Sequence, residues 1–270
     1  MTKLVWMSDL HFTQEDDVLG HDPRLRLDAA IAHINRNHAD AAKCIISGDI
    51  VNRGTPADYE AVKGKLNELD IAYLPMVGNH DNRDLFREIL PLPDTCMADF
   101  IQYQVTTPDG ILLCLDTHKA GSDAGEFCTK RAEWLRKKLL DAGNTPVFIF
   151  MHHPPMALGL PMQDTENLED ADSFLDLISE FACVKYLCIG HVHRPVSGTV
   201  RGIPFSTMRS VLYQAPPPRP EWSWETFKPS TEAPNIGIVQ LEDASVRIQF
   251  DQFCDYHIGV TPDQSHLKQL

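Results

Sequence analysis

The chain has 270 residues, of which 43% are hydrophobic, 23% are charged and 8% are aromatic. This composition is typical of a globular protein and excludes a disordered or fibrous chain. Lys and Arg number 24 against 38 Asp and Glu, which gives a net charge of −14, so the surface lacks the positive charge that holds a nucleic-acid polymer.

The sequence also favours a cytoplasmic protein without a transmembrane segment. No stretch offers the roughly 20 apolar residues of a membrane-spanning helix, and the apolar run at residues 4–7 is too short for the hydrophobic region of a signal peptide. The seven cysteines are an odd number, and Cys44, Cys114 and Cys188 lie within apolar runs. We therefore expect buried free thiols rather than a disulfide framework.

Short apolar runs alternate with segments of helical periodicity up to His193. The apolar runs predict strands buried on both faces and cover residues 4–7, 44–46, 71–74, 111–115, 147–151 and 186–189. The segments of helical period cover residues 27–34, 59–69, 134–139 and 174–181. Thr55 before Pro56, and Thr129, mark the expected starts of two of these helices. The alternation predicts the β-α-β units of an α/β fold.

After His193 the pattern changes to shorter strands, which we expect at residues 196–200, 203–206, 211–213, 236–241 and 246–250. A Pro/Trp-rich arm at residues 214–234 interrupts them and contains Trp222 and Trp224. This arm is either a surface loop whose tryptophans pack back onto the domain, or a segment that caps a site or reaches a partner subunit. Because the sequence has no internal repeat, it predicts a single domain over residues 1–270.

Polar residues of metal-binding type follow five of the apolar runs. These turns contain Asp9 with His11, Asp49, Asn79 with His80, His152 with His153, and His191 with His193. Open α/β sheets place their sites at the carboxyl ends of the strands, and residues two apart in a strand point to one side. Each turn alone has a structural explanation as a tight turn or helix cap. Five of them in one crevice would leave many polar groups unpaired unless a ligand binds there.

Together the five turns resemble the motifs of the calcineurin-like metallophosphoesterases. The matching blocks are Asp9-x-His11, Gly48-Asp49, Gly78-Asn79-His80-Asp81, His152-His153-Pro154 and Gly190-His191-x-His193. The likeness spans residues 4–193 and is greatest to the bacterial glycerophosphodiesterase and class III cyclic-nucleotide phosphodiesterase branch. It implies an α/β fold built as a four-layer αββα sandwich, in which helices flank two mixed β-sheets.

The resemblance also implies a two-metal centre. It assigns Asp9, His11 and His193 to one ion, Asn79, His152 and His191 to the other, and Asp49 to a bridge between them. Two divalent ions about 3.5–4 Å apart need such an anionic bridge. Imidazole and oxygen ligands without thiolate suit divalent or trivalent ions of Fe, Mn, Zn or Co. Asn52 stands where purple acid phosphatases have a tyrosine ligand, so we do not expect an iron–tyrosinate centre.

His80 is the candidate catalytic residue outside the predicted ligands. It follows Asn79, so we expect it beside the ions, where a metal-bound hydroxide would attack phosphorus and expel an alkoxide. His80 would supply that alkoxide with a proton or a positive partner. Asp81 would either orient His80 or cap the helix expected at residues 84–90, and capping is the interpretation we favour.

Basic residues near the motif turns are candidates for a contact with the substrate phosphate. They are Arg53, Arg83, Lys119 and Arg194, and each is more often a solvated surface charge. Lys119 follows the polar end of a predicted strand, which makes it the first choice. In a protein of net charge −14, two bound ions would be the largest local positive charges.

The resemblance implies metal-dependent hydrolysis of small phosphodiesters: cyclic nucleotides, glycerophosphodiesters or lipid headgroup diesters. The alternatives are a phosphomonoesterase or nucleotidase with the same centre, phospholipase C-type action on membrane phospholipid, and a non-catalytic protein-binding module. A nuclease is disfavoured because the chain lacks a basic stripe. The Pro/Trp-rich arm and the late strands also suggest a contact that would build a homodimer or a higher homo-oligomer.

Overall fold

The predicted apolar runs form strands in a computed structural model that describes residues 1–242 and 244–260. The strands of those residues are β1 (Thr2–Met7), β2 (Lys43–Ser47), β3 (Tyr73–Met76), β4 (Tyr103–Thr107), β5 (Gly110–Cys114), β6 (Val147–Met151), β7 (Val184–Ile189), β8 (Ser197–Val200), β9 (Ile203–Thr207), β10 (Asn235–Glu242) and β11 (Ser245–Gln252). The helices are α1 (Pro23–Asn37), α2 (Pro56–Leu66), α3 (Arg83–Ile89), α4 (Thr129–Ala142) and α5 (Ala171–Ser179), with a 3-10 turn at Gln163–Glu166. Residues 243 and 261–270 of the predicted domain lie outside the described residues.

The strands pair into two mixed sheets. The first has the order β11-β10-β1-β2-β3, in which β1, β2 and β3 are parallel and β10 is antiparallel to β1. The second has the order β4-β5-β6-β7-β9-β8, in which the four central strands are parallel and each edge strand is antiparallel. Helices connect the successive parallel strands from β1 to β3 and from β5 to β7, because a parallel crossover returns across the face of its sheet.

The alternation of side chains in the second sheet divides them between two cores. Leu112 and Phe150 face the first sheet, where the rings of Trp6 and Phe150 meet edge to face at a centroid distance of 6.0 Å. Leu113 and Ile149 face the other way and pack with α4 and α5. Helices α1, α2 and α3 contribute to the core of the first sheet. The layers run helix, sheet, sheet, helix, which confirms the predicted αββα sandwich.

The helices are short, and α1, α2 and α3 begin at residues whose side chains cap them. The longest, α1, has 15 residues, and no helix in the described part of the chain combines the length and apolar character needed to cross a bilayer. Before α2, the Thr55 hydroxyl accepts the Asp58 amide at 3.2 Å, as the sequence predicts. α4 begins at Thr129, but Cys128 is its N-cap residue and makes no side-chain cap.

Asp81 ties two turns together instead of capping a helix. Its carboxylate accepts hydrogen bonds of 2.8–3.3 Å from the amides of Gly78, Ile50 and Val51 and from the Tyr59 hydroxyl. Asn82 caps α3, since its Oδ1 accepts the amides of Asp84 and Leu85, each at 3.1 Å. The capping interpretation of Asp81 is therefore wrong, because two strong N-cap residues stand side by side and the second one takes the role.

Two further differences from the predictions concern strands. Residues 211–213 form no strand; the Val211 amide donates to the Ser8 carbonyl at 3.0 Å, and the Ala215 amide donates to the His193 carbonyl at 3.1 Å. These bonds hold the segment over the ends of β1 and β7. Strand β4 was not predicted, because an edge strand of partly exposed polar residues has no continuous apolar run.

The described cysteines are all free thiols, and Cys44, Cys114 and Cys188 are buried. This confirms the expectation drawn from their apolar surroundings. Burial raises the pKa of the Cys188 thiol well above its ordinary value, so the thiol stays protonated and unreactive within the core.

Candidate metal centre

The five predicted turns meet at the carboxyl ends of parallel strands from both sheets. The ends of β1, β2 and β3 supply Asp9, His11, Asp49 and Asn79, and the ends of β6 and β7 supply His152, His191 and His193. All of these residues except Asn79 are buried. Since neighbouring parallel strands end at the same edge, the fold brings the seven predicted ligands into one crevice.

Most of these residues lie in strained backbone. Asp9, His11, Asp49, His191 and His193 have φ angles between +42° and +71°, a left-handed region that costs a non-glycine residue on the order of 1–3 kcal/mol. Outside the crevice, the described non-glycine residues with positive φ are Leu19, Asp170, Arg201 and Ala244. The concentration of strain in one crevice indicates a geometry that the surrounding structure imposes on these turns.

Two glycines allow the turns to approach one another closely. A Cβ atom on Gly48, whose φ is +102°, would overlap Nδ1 of His152. A Cβ atom on Gly78 would overlap Oδ1 of Asp49. A larger residue at either position would therefore displace one of the predicted ligands.

The first predicted ion position lies among Asp9, His11 and His193. Nε2 of His193 is 3.0 Å from Nε2 of His11 and 3.4 Å from Oδ1 of Asp9. The ligand atoms of all three residues lie within 4.8 Å of one another. A cation with bonds of about 2.0–2.2 Å to nitrogen and oxygen fits this spacing after small adjustments of the side chains.

The second predicted position lies among Asn79, His152 and His191. Oδ1 of Asn79 is 3.0 Å from Nε2 of His152 and 3.1 Å from Nδ1 of His191, and these two ring nitrogens are 3.3 Å apart. The amide nitrogen of Asn79 donates to Asp123 at 3.4 Å, which turns the amide oxygen toward the histidines. Three atoms with lone pairs therefore converge on one point.

Asp49 lies between the two groups. Its Oδ2 is 3.6 Å from Nε2 of His11 in the first group and 3.4 Å from Nε2 of His152 in the second. Its Oδ1 accepts the His80 amide at 3.0 Å. Although burial lowers the pKa of His152, the charge of Asp49 outweighs this effect and raises it to about 9. Binding of a cation at His152 would therefore release its proton.

Oxygen acceptors fix the rings of three histidines. Their Nδ1 atoms lie 2.8–3.2 Å from an oxygen: His152 from the Ser47 carbonyl, His193 from the Tyr213 carbonyl and His11 from the Asn52 side chain. Because a carbonyl oxygen only accepts, Nδ1 carries the hydrogen, and the lone pair of Nε2 faces the crevice. Histidines that bind metals are oriented by contacts of this kind.

Burial and neighbouring charges prepare the other groups to bind a cation. Burial, together with repulsion from a second histidine in each case, lowers the pKa of His11 and of His191 to about 3. Burial raises the pKa of Asp9, but His193 and other histidines outweigh it and lower the value to about 2. At pH 7 these groups are neutral imidazoles and a carboxylate, which are the protonation states that bind metals. The donor set of imidazole, carboxylate and amide oxygen fits Fe, Mn, Zn or Co.

His80 lies at the mouth of the crevice beside the first group. Its exposed ring meets the ring of His11 edge to face at a centroid distance of 4.6 Å, and its Nδ1 is 3.0 Å from the Asn52 carbonyl. Nδ1 therefore carries the hydrogen, and Nε2 is the ring nitrogen left for a ligand. This places His80 beside the predicted ligands, and its catalytic role stays a prediction.

The structure does not bring Lys119 to the crevice. Its ammonium group pairs with both carboxylate oxygens of Glu169, at 2.6 and 2.7 Å. The other basic candidates are paired as well, Arg53 with Asp16, Arg83 with Asp116 and Arg194 with Glu232. Arg53 and Arg83 line a second cavity, whose wall also includes Asn79 and His80. Positive charge for a phosphate in the crevice would therefore come from bound cations.

A cavity of about 390 Å³ opens onto the crevice. Its walls include Asp123, Glu166, Tyr213 and Phe227, which the sequence analysis did not identify as site residues, and Trp224 of the Pro/Trp-rich arm. These residues lie in loops or in the 3-10 turn and follow no strand-end motif. In the sequence, only the two tryptophans of the arm pointed to this part of the site. Among the described residues that line this cavity there is no Lys or Arg.

A further group of histidines lies away from the crevice. Nε2 of His33 and Nε2 of His38 are 2.8 and 2.9 Å from Oδ2 of Asp251, which joins the end of α1 to β11. Both distances are those of ordinary hydrogen bonds. Pairing with one carboxylate therefore accounts for these two histidines.

The fold and the crevice define a metal-dependent phosphoesterase. The sequence profile described as calcineurin-like phosphoesterase matches residues 2–195, which include the seven predicted ligands. The chain belongs to this family, and the resemblance drawn from its five turns is confirmed.

Relatives in this family are named as phosphodiesterases. A probable cyclic nucleotide phosphodiesterase of Rhodopseudomonas palustris is 35% identical over 216 residues, which cover 78% of this chain and 79% of the relative. The glycerophosphodiester phosphodiesterase GpdQ of Enterobacter lignolyticus is 31% identical over 220 residues, or 79% of this chain and 78% of the relative. The cyclic adenosine monophosphate phosphodiesterase CpdA of Vibrio vulnificus is 24% identical, covering 84% and 82%.

Solved structures share the fold. A dimetal phosphatase from Danio rerio superposes with a TM-score of 0.70 at 14% identity and covers 94% of this chain and 97% of its own. The purple acid phosphatase of yellow lupin superposes with a TM-score of 0.68 at 13% identity, covering 95% of this chain and 52% of its own. At these identities the likeness concerns the architecture of the two sheets and their helices.

Proposed function

We propose that this protein is a metal-dependent phosphodiesterase that hydrolyses small diesters, a class that includes cyclic nucleotides, glycerophosphodiesters and lipid headgroup diesters. Membership of the family and the names of its relatives support a hydrolase acting on phosphodiesters. The observation that carries the choice of a diester is the charge of the cavity, whose described lining residues include Asp123 and Glu166 besides the proposed ligand Asp49, and no Lys or Arg.

Two cations would occupy the crevice in this proposal. Asp9, His11 and His193 would hold one of them, Asn79, His152 and His191 would hold the other, and Asp49 would be a ligand of both. The proximity of Asp49 Oδ2 to one histidine of each group supports this arrangement. When bound, such ions would lower the pKa of a water molecule to about 7 and offset the charge that develops on the phosphate.

The charge of the cavity separates a diester from a monoester. A phosphate monoester carries about 1.5 to 2 negative charges at pH 7, whereas a diester carries a single charge. Asp123 lies on the cavity wall and would repel the additional charge of a monoester. Glu166, whose pKa burial and Asp123 raise to about 7, adds part of a negative charge at pH 7. A monoanionic diester therefore suits this cavity better.

His80 would transfer a proton to the leaving alcohol. Contact of its Nδ1 with the Asn52 carbonyl leaves Nε2 to hold the proton, and the residue lines the cavity. A positioned acid of this kind contributes about 10²–10⁴-fold to the rate.

Paired assays with bis(p-nitrophenyl) phosphate and p-nitrophenyl phosphate test the proposal. The metal-reconstituted protein should hydrolyse the diester faster, lose this activity on chelation and regain it with Mn²⁺. Faster turnover of the monoester would favour a phosphomonoesterase. Absence of bound metal, together with no activity after reconstitution, would favour a non-catalytic protein-binding module. Metal analysis of the purified protein identifies the native ion among Fe, Mn, Zn and Co, and light scattering tests the predicted homo-oligomer.

A further inference from the structure

Two histidines and an aspartate meet away from the crevice, where α1 ends against the edge strand β11. Nε2 of His33 and Nε2 of His38 lie 2.8 and 2.9 Å from the same carboxylate oxygen, Oδ2 of Asp251. The ligand atoms of the three residues lie within 4.8 Å of one another. In the crevice, the corresponding atoms of the proposed ligands are 3.0–3.4 Å apart. The two places therefore share donor types and have nearly the same spacing.

The end of α1 brings the two rings together. Residues five apart on a regular helix point in directions that differ by about 140°, so His33 and His38 would not share a helical face. His38 is the C-cap residue of α1 and has left the helical conformation, with a φ of −137° and a ψ of 22°. Its ring consequently lies beside that of His33, at a centroid distance of 5.6 Å.

Asp251 supplies negative charge to this cluster. Burial raises the pKa of its carboxyl, but the hydrogen bonds with the two histidines outweigh this effect and lower the pKa from 3.8. Cationic groups on the wall of the neighbouring cavity pair with other acids, Lys3 with Asp40 at 2.5 Å and the amino terminus with Asp109 at 3.5 Å. At pH 7 Asp251 is therefore a carboxylate whose partners are imidazoles.

A metal ion would take the place of two hydrogens in this cluster. Because the Asp251 carboxylate only accepts, Nε2 of each histidine carries a hydrogen in the hydrogen-bonded state. Loss of these hydrogens would leave two nitrogen lone pairs and one carboxylate oxygen directed at the same point. The amide of Asn37 lies 3.2 Å from Nδ1 of His33, and its rotation would present an oxygen to the Nδ1–H of a metal-bound ring.

A cavity of about 660 Å³ reaches the cluster, and its walls include His38 and Asp251. This cavity gives an ion a route from solvent and leaves room for a water molecule as a fourth ligand. Two imidazoles and a carboxylate suit zinc, which takes four ligands in a tetrahedral arrangement. Magnesium and calcium prefer oxygen ligands, so this donor set favours zinc over them.

We propose that His33, His38 and Asp251 form a zinc site separate from the crevice. The ion would be held by the two Nε2 atoms, a carboxylate oxygen of Asp251 and a water molecule, and it would link the end of α1 to β11. The two Nε2 hydrogens would leave to solvent as protons. This inference does not depend on the proposed function, because none of these residues belongs to the crevice.

The zinc content of the protein, measured by mass spectrometry after dialysis against zinc with an excess of Mg²⁺, tests the site. His38→Gln and Asp251→Asn should each bind one zinc ion fewer per chain than the wild type and keep the ions of the crevice. His257→Gln is the matched control, because His257 is an exposed histidine outside the cluster. It should keep the wild-type content, and circular dichroism checks that each variant is folded. Equal zinc content in the wild type and all three variants overturns the inference.

The tautomers of the two histidines give a readout that does not depend on counting ions. Long-range ¹H–¹⁵N NMR spectra of the metal-free protein at pH 8 should show a hydrogen on Nε2 of His33 and of His38. Saturation with zinc should move the ring hydrogen of both residues to Nδ1, and Asp251→Asn should weaken this response. Retention of the Nε2 hydrogens by the wild type in saturating zinc overturns the inference.

Discussion

The main-chain amide of His80 holds Oδ1 of Asp49 at 3.0 Å, so that Oδ2 faces His11 and His152. The proposed proton donor and the proposed bridging ligand are therefore connected through the backbone and not through the imidazole. Removal of the ring leaves this amide in place. Replacement of Asp49 should therefore remove the bound ions, whereas replacement of the His80 ring should remove only the proton donor.

Asp49→Ala should lose both ions and all measurable turnover, because the Oδ2 atom that it removes lies 3.6 Å from His11 in one group and 3.4 Å from His152 in the other. Metal analysis by mass spectrometry and the bis(p-nitrophenyl) phosphate assay check this. Asp251→Asn is the control, since Asp251 pairs with His33 and His38 away from the crevice. Retention of two ions per chain by Asp49→Ala would contradict the bridging role.

His80→Ala should keep the metal content and lower kcat by about 10²–10⁴-fold for a diester with an alkyl leaving group. The loss should be smaller for a p-nitrophenyl leaving group, which departs without a proton. Comparison of the two rates in wild type and variant measures this difference, with His33→Ala as a control. If both variants, Asp49→Ala and His80→Ala, lost metal equally, His80 would belong to the ligand shell.

Gly48→Ala should destabilise the protein by about 2–3 kcal/mol or more, because the residue has a φ of +102° and its Cβ would overlap His152. Gly64→Ala is the matched control: Gly64 lies within α2 with open space around it, so alanine should stabilise by about 0.5–1 kcal/mol. Urea unfolding of both variants measures the free energies. Equal stability of the two would refute the close approach described for the β2 turn.

Asp116→Asn should cost about 3–5 kcal/mol of stability, because it weakens the partner of a fully buried cation. The Asp116 carboxylate accepts Arg83 at 2.8 Å and lies 3.4 Å from the guanidinium of Arg131, which has no exposed surface. Lys119→Ala removes an exposed pair and should cost less than about 1 kcal/mol. Lys119→Ala should also retain full turnover. A large fall in kcat/KM would instead support a contact between Lys119 and the substrate.

The Pro/Trp-rich arm should loosen in acid. Glu232 fastens it to Arg194 at 3.1 Å and Arg209 at 2.8 Å; burial raises the pKa of Glu232, but Ser230 and the two arginines outweigh this and lower it from 4.5. A carboxyl with a lowered folded pKa stabilises above its unfolded pKa, and this contribution disappears as the pH falls through the folded value. Proteolysis within the arm should therefore increase below about pH 4.5.

Glu232→Gln should show this acid behaviour of the arm already at pH 7, since the neutral amide cannot pair with either guanidinium. Glu225→Gln, which changes a carboxylate elsewhere on the same arm, serves as the control. Identical cleavage rates of both variants and the wild type at pH 7 would show that other contacts hold the arm.

The sequence predicts which turns meet in the crevice, because Asp9, Asp49 and His191 each lie two or three residues after an apolar run and strand ends are easily recognised. It does not reveal Glu166 or Asp123, since Glu166 ends a short 3-10 turn and Asp123 lies in a loop, and tertiary contacts decide the course of both segments. Residues 211–213 show the same limit: their apolar character suits a strand, but hydrogen bonds to distant backbone decide their conformation. Local sequence propensity therefore predicts the strands and helices, whereas long-range packing determines the shape of the substrate cavity.

The proposed ligands are divided between two separate sheets, which meet through contacts such as that of Trp6 with Phe150. Sliding one sheet by a single residue would move its ligands by about 3.3 Å, which nearly equals the 3.5–4 Å that separates paired ions. The packing of the apolar interior thus sets the distance between the two cation positions at the edge of the sheets. A more loosely packed interior would change the distance between the cations before the chain unfolded.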